Sequence, residues 1–322
     1  MPFHLVFQPK RIIEAMNRYL LFILFTLIVI SACKKPKDEK VQTFRYSNPN
    51  TEMVPENAAS NSDNEHQSFG DKRPRKEKQG KVSRRIEEDD RQGLELPAKL
   101  KDRSENMLKK QGFAVSYNNK YNCPNYVAWH LNSKRLKGNA HRTKFEEDPR
   151  VAKSNRVQWY DYDGSGYDRG HMCPAADNKW NQDATNETFL MSNICPQSHN
   201  LNEGVWNDLE QKCRSWAWRG KDLYIVCGPI FDNKHPKTIG KSQKVRIAVP
   251  DRFFKVVLSA SDEVTAIGFI YPNSSTNLPM SDYCVSVDSI EAITGIDFYH
   301  ILDDELEDII EAECNPRKWG IQ

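Results

Sequence analysis

Apolar residues are spread so unevenly along this chain that only the part after about residue 95 can build a packed domain. From residue 34 to about 95, Lys, Glu, Asp, Asn, Ser and Arg dominate, with few large apolar side chains and no period. Such a stretch cannot bury enough surface to offset the entropy lost on ordering. Its basic run, Lys72 to Lys78, and its acidic run, Glu87 to Asp90, nearly cancel, so a solvated spacer is expected rather than a nucleic-acid arm. The whole chain carries a net charge of only +2, so attraction to phosphate must be local.

The beginning of the chain has a different character. Tyr19 to Ser31 is apolar and uncharged, with Lys10, Arg11 and Arg18 before it. It is too short for a comfortable transmembrane helix and fits a signal-peptide core. Ile30-Ser31-Ala32-Cys33 resembles a bacterial lipobox, which implies cleavage before Cys33, acylation of its sulfur and anchoring to a membrane. An uncleaved anchor is the plain alternative. Met16 stands directly before Asn17-Arg18 and the apolar run, so it is a candidate true start. The expected organisation is a signal peptide over 1–32, a disordered polar tether over 33–95 and a folded domain over 96–322, exported to the cell envelope. Eight cysteines fit that route. Setting Cys33 aside leaves an odd number. Cys284 with Cys314 and Cys173 with Cys195 are the pairings favoured, although sequence does not determine connectivity. No Cys-x-x-Cys or comparable zinc spacing is present.

Within the folded part, Phe113–Tyr117 and Asn125–Leu131 read as strands around an Asn118-Asn119-Lys120 turn. Further strands are expected at Thr188–Met191, Leu223–Cys227, Val245–Val249, Phe253–Leu258, Thr265–Tyr271 and Tyr283–Val287. Helices are expected from Asn202 to about Trp218, at Ser289–Thr294 and at Asp303–Cys314. The sum is an α+β fold built on an antiparallel sheet with packed helices.

Chemistry concentrates in two runs: Tyr167-Asp168-Arg169-Gly170-His171-Met172-Cys173-Pro174-Ala175-Ala176, and Ser192-Asn193-Ile194-Cys195-Pro196-Gln197 followed by Asn202, Trp206 and Glu210. Histidine is the side chain best suited to take a proton near neutral pH, which makes His171 a candidate general base. Gly170 allows close backbone approach. Arg169 either contacts a phosphate or holds the local fold, and Asp168 is expected to orient its neighbours. Asn202, Trp206 and Glu210 stand at i, i+4 and i+8, on one helix face with Trp206 packed between the other two. Asn202 is a candidate oxygen ligand for Mg²⁺, or a helix N-cap, and the two roles are compatible. Glu210 is placed to order water. Arg214 continues the stripe and is a candidate phosphate contact, with a solvent-facing role as the alternative. Asn193 is a weaker candidate, with holding the loop as the alternative.

These linked motifs resemble the DNA/RNA non-specific endonucleases of the ββα-metal group, and the similarity runs across roughly 96–322. The resemblance implies a strand pair carrying His171 packed on the helix carrying Asn202. It assigns His171 as general base, Asn202 as metal ligand and Glu210 as the water-ordering carboxylate. Mg²⁺ is the implied cofactor, with Mn²⁺ or another divalent cation as a substitute. The family's arginine falls on Arg142, in Arg142-Thr143-Lys144-Phe145 before Glu146-Glu147-Asp148. DNA and RNA are the implied substrates, cut to leave 5′-phosphate ends, and a homodimer is left open. Lys134, Arg135, Lys137, His141, Arg142 and Lys144 form a basic cluster that would track a phosphate backbone. Two other readings stay open: an inactive nucleic-acid-binding surface lipoprotein, and a lipoprotein phosphodiesterase for a small or lipid substrate.

Overall fold

The computed structural model describes residues 83–322 except 243, 262 and 277. The expected signal peptide, the alternative start at Met16, the lipidation site Cys33 and the tether up to residue 82 lie outside the described residues. No helix among the described residues is long and apolar enough to cross a membrane.

The strands in chain order are β1 (Asn106–Lys109), β2 (Ala114–Asn118), β3 (Cys123–Leu131), β4 (Asp168–His171), β5 (Ile194–Gln197), β6 (Leu223–Ile230), β7 (Thr238–Ile239), β8 (Ile247–Ala248), β9 (Arg252–Ser259), β10 (Thr265–Pro272) and β11 (Cys284–Val285). The helices are α1 (Gln182–Thr188), α2 (Trp206–Trp218), α3 (Val287–Thr294) and α4 (Asp304–Ala312). Seven strands form one sheet in the order β1-β2-β3-β6-β9-β10-β11. Every pairing in it is antiparallel. Two small pairs, β4-β5 and β7-β8, stand apart from it.

The central strand β6 is buried along its whole length because the sheet is covered on both faces. Alternation along β9 divides the two layers. Phe253 and Val257 join a core with Trp129, Trp206, Leu209 and Trp216, which seats α2 and the β4-β5 pair. Phe254, Val256 and Leu258 join a second core with Ile290, Phe298, Leu306 and Ile310, which seats α3 and α4. The fold is α+β on an antiparallel sheet, and β4, β5 and α2 form a ββα unit on its first face.

Several local expectations are corrected. Thr188–Met191 is not a strand: α1 ends at Thr188, and only a single bridge joins Leu190 to Glu146. Val245–Val249 and Tyr283–Val287 shrink to two-residue strands. Packing also starts earlier than the residue-96 boundary. Ile86 and Leu94 are buried in the second core, and Arg84 pairs with Glu313. Two apolar residues eight apart carry no period, so the sequence offers no pattern there. The described cysteines are all free thiols. Cys173 does not pair with Cys195; its sulfur accepts a hydrogen bond from Asn178 Nδ2 at 3.3 Å. Cys284 is also free of Cys314, its thiol turned toward the Met280 carbonyl at 3.5 Å.

Candidate active site

A cleft of about 470 Å³ is lined by Arg142, Arg169, His171, Asn202, Glu210 and Arg214 together with Pro174, Ala175, Ala176, Glu203 and Asn207. Six of the residues singled out from sequence therefore meet in one place. Lys144 does not: it lines a separate groove with Glu146, Asn186 and Glu187. A somewhat larger hollow of about 520 Å³ near Asp102 and Tyr121 contains no histidine, and its Asp102 carboxylate is taken up by Arg103.

His171 ends β4, whose register against β5 places Gly170 opposite Cys195 and His171 opposite Ile194. The glycine is required here. A Cβ at residue 170 would stand 2.0 Å from Gln197 Oε1, because that side chain folds across the strand. Arg169 and His171 are two apart and share a face. The His171 ring packs at 5.3 Å from Phe145 and edge-on at 4.9 Å from Phe189. Its Nε2 is buried and has no hydrogen-bond partner among the described residues. Burial, reinforced by the Arg142 charge, pushes its pKa down to about 3, so the imidazole is neutral across the working range.

Arg169 is tied into the fold. Its Nε donates to the Trp159 carbonyl at 2.8 Å and its Nη2 to Asp163 Oδ1 at 2.7 Å, and its guanidinium lies over Phe145, Trp159 and Tyr162. Of the two roles open to it, the structure displays the holding one. Arg142 is the opposite case. It is exposed, rests over the Phe189 ring at 5.2 Å and forms no ion pair among the described residues. Arg135, counted in the basic cluster, is spent on structure, donating to the carbonyls of His130 and Gly112 and to Asn178.

Asp168 orients its neighbours. Its Oδ2 accepts from Asn202 Nδ2 at 3.0 Å and lies 2.9 Å from His199 Nδ1. A carboxylate only accepts, so the nitrogen of the Asn202 amide must face it and the amide oxygen is left free for another partner. Asn202 is not an N-cap of α2. It sits in a π-helical turn, Leu201–Val205, broken at Gly204, and α2 proper starts at Trp206. Trp206 is fully buried and packs on Phe253.

Glu210 is largely covered, and burial raises its pKa to about 7, against the opposing pull of the Lys255 charge. Arg214 is not solvent-facing. It donates to Asp177 Oδ1 at 3.1 Å and lies 3.8 Å from Glu210. Asp177 is almost fully buried, also accepts from Trp129 Nε1 at 3.1 Å, and is raised in pKa by that burial. Sequence reading passed over Asp177, although it directly follows the Asp168–Ala176 run, and over Lys255, whose strand position offers no sign of a site. Lys255 is 1% exposed, with Nζ 4.3 Å from the Trp206 ring and 5.5 Å from Trp129. Asn193 holds the loop: it accepts from Cys173 N and donates to the carbonyls of Cys173 and Thr188.

The chain is similar to known nucleases over the same region. The family model described as DNA/RNA non-specific endonuclease matches residues 96–305. A nuclease of Nostoc sp. is 36% identical over 232 residues, covering 68% of this chain and 82% of its own length. Human mitochondrial nuclease EXOG is 35% identical, covering 59% of this chain and 56% of its own length. Human mitochondrial endonuclease G is 32% identical, covering 64% of this chain and 71% of its own. This chain thus spans little more than half of the EXOG protein. A crystal structure of an EndoG/EndoGI complex superposes with a TM-score of 0.57 at 27% identity, covering 63% of this chain and 89% of the matched chain. With motif, fold and matched span in agreement, the chain belongs to the DNA/RNA non-specific endonuclease family and is a nuclease.

Proposed function

We propose that this protein is a divalent-metal-dependent endonuclease that hydrolyses phosphodiester bonds of DNA and RNA without strong sequence preference, with His171 as general base. The observation that carries the reading is the neutral imidazole of His171, which lines the same cleft as Asn202 and Glu210. A nucleophilic water hydrogen-bonded to the part of that imidazole that faces the cleft gives up its proton there as it attacks phosphorus. Phe145 and Phe189 fix the ring so that no rotation is needed at that moment. Arg142, exposed beside the cleft, takes a non-bridging phosphate oxygen. That contact pairs the charge which adds to the effect of burial on His171 and brings in the negative charge of the substrate, so the histidine becomes a stronger base with substrate bound.

The donor set fits a hard cation. The Asn202 amide oxygen is aimed by Asp168, and the Glu210 carboxylate lines the same cleft, where it would order water beside the ion. Mg²⁺ is the ion we assign, with Mn²⁺ or another divalent cation able to substitute. When bound, the cation supplies stabilisation of the charge that builds on phosphate and on the departing 3′ oxygen. Glu210 and Arg214 meanwhile hold one another and Asp177 in place.

Plasmid nicking and RNA degradation by the full-length protein, with and without EDTA, test this reading. Cleavage of both polymers that EDTA abolishes is expected. Binding of nucleic acid without cleavage would favour an inactive binder, and cleavage confined to small or lipid diesters would favour the other phosphodiesterase reading. We further propose that Cys33 carries the lipid anchor of an exported envelope protein, supported by the Ile30–Cys33 sequence. Fatty-acid labelling of wild type and Cys33→Ala tests it; equal labelling of the two would sink it.

A further inference from the structure

On the face of the sheet away from His171, three carboxylates converge where α3 meets α4. Asp288, Glu291 and Glu311 each offer an oxygen, and these oxygens lie within 4.8 Å of one another. Glu311 is only 4% exposed, and its Oε1 has no hydrogen-bond partner. A buried carboxylate oxygen left in that state costs free energy unless a proton or a cation meets it. Glu311 also lies in the last turn of α4, the negative end of the helix dipole, where no basic residue stands. The ion pairs on either side engage Asp102 and Glu313, not these three acids. Glu291 is held in position because its Oε1 accepts the Phe298 N–H at 2.7 Å.

We propose that Asp288, Glu291 and Glu311 bind one Ca²⁺ ion that ties α3 to α4. Ligand type selects the ion. Ca²⁺ accepts irregular shells built largely from protein carboxylates, whereas Mg²⁺ demands near-octahedral geometry and usually keeps several of its waters. Three carboxylate oxygens brought together within 4.8 Å of one another, one of them buried, suit the less demanding ion. The all-oxygen donor set excludes ions that favour sulfur or imidazole, and water entering at exposed Asp288 completes the shell. The site is independent of the nuclease reading, because it shares no residue with the cleft of His171.

The test is Ca²⁺ titration of the full chain in mild detergent, with Mg²⁺ held at saturation so that the cleft around Asn202 is not the reporter. We expect Ca²⁺ to raise Tm by several degrees above the Mg²⁺ baseline, as roughly a hundredfold excess over Kd would. Calorimetry should show one site. Glu311→Gln and Asp288→Asn should each lose the Ca²⁺-specific rise. If Glu311→Gln does not fold, Asp288→Asn, at an exposed position, carries the comparison. No rise in wild type, or an equal rise in wild type and variants, overturns the proposal.

Discussion

Replacing Asp168 with Asn tests how the cleft orients Asn202, the proposed metal ligand. Asp168 Oδ2 holds Asn202 Nδ2 at 3.0 Å and His199 Nδ1 at 2.9 Å, and this carboxylate dictates which way the Asn202 amide faces. The substituted amide presents both a donor and an acceptor, so Asn202 is free to flip and turn its nitrogen toward the cation. A hydrogen bond to a charged group contributes about 1.5–3 kcal/mol. The Asp168 side chain is about one-third exposed, which places the effect toward the lower end of that range. Loss of an orienting partner typically weakens a metal site about 10–100-fold, and the lower half of that span is expected here. Initial rates of plasmid nicking against Mg²⁺ concentration measure the shift in the half-saturating metal. Activity at saturating Mg²⁺ should recover to within a few-fold of wild type. His199→Ala removes the exposed partner and leaves the Asp168–Asn202 bond, so it should shift the midpoint by less than about threefold. An unchanged midpoint in Asp168→Asn would show that Asn202 does not meet the cation through its oriented amide. A rate loss that Mg²⁺ cannot restore would place Asp168 in proton transfer instead.

Three further outcomes follow from the same geometry. His171→Ala should lower kcat by about a hundredfold or more, with no rescue at high Mg²⁺, because a missing base is not replaced by a cation; single-turnover rates across a Mg²⁺ series check this. Gly170→Ala should lower stability by about 1–3 kcal/mol, read as a drop in Tm, because the added methyl overlaps Gln197 and the strand pair must shift. Glu210 has its pKa raised to about 7, so between pH 8 and pH 6 it becomes mostly protonated and the apparent Mg²⁺ affinity should fall by about tenfold, while His171 stays neutral over the same range. The sign is opposite for metal-free stability, which should fall as pH rises from 4.5 toward 7, since the folded state then holds a proton that the unfolded chain has released. Thermal melts in EDTA and calorimetric Mg²⁺ titrations across that range separate the two.

Much of the candidate cleft was legible in the residue order, because its groups sit in two short runs whose residue types suit proton transfer and cation binding. His171, Asn202 and Glu210 could be singled out without coordinates, and so could the long strands β6, β9 and β10, whose apolar runs are what a sheet covered on both faces requires. What sequence could not supply was the use to which each charged group is put. Arg169 and Arg142 are alike in chemistry, yet one is committed to Trp159 and Asp163 while the other stays exposed, and only the packing of neighbouring loops separates them. Asp177 and Lys255 join the site from beneath because α2 and β9 meet there, a contact between segments far apart in the chain that no local pattern encodes. The same holds for Leu94 and for the Glu311 cluster. A single apolar residue or a single acid has no period, and its role is decided by which distant surface it is folded against.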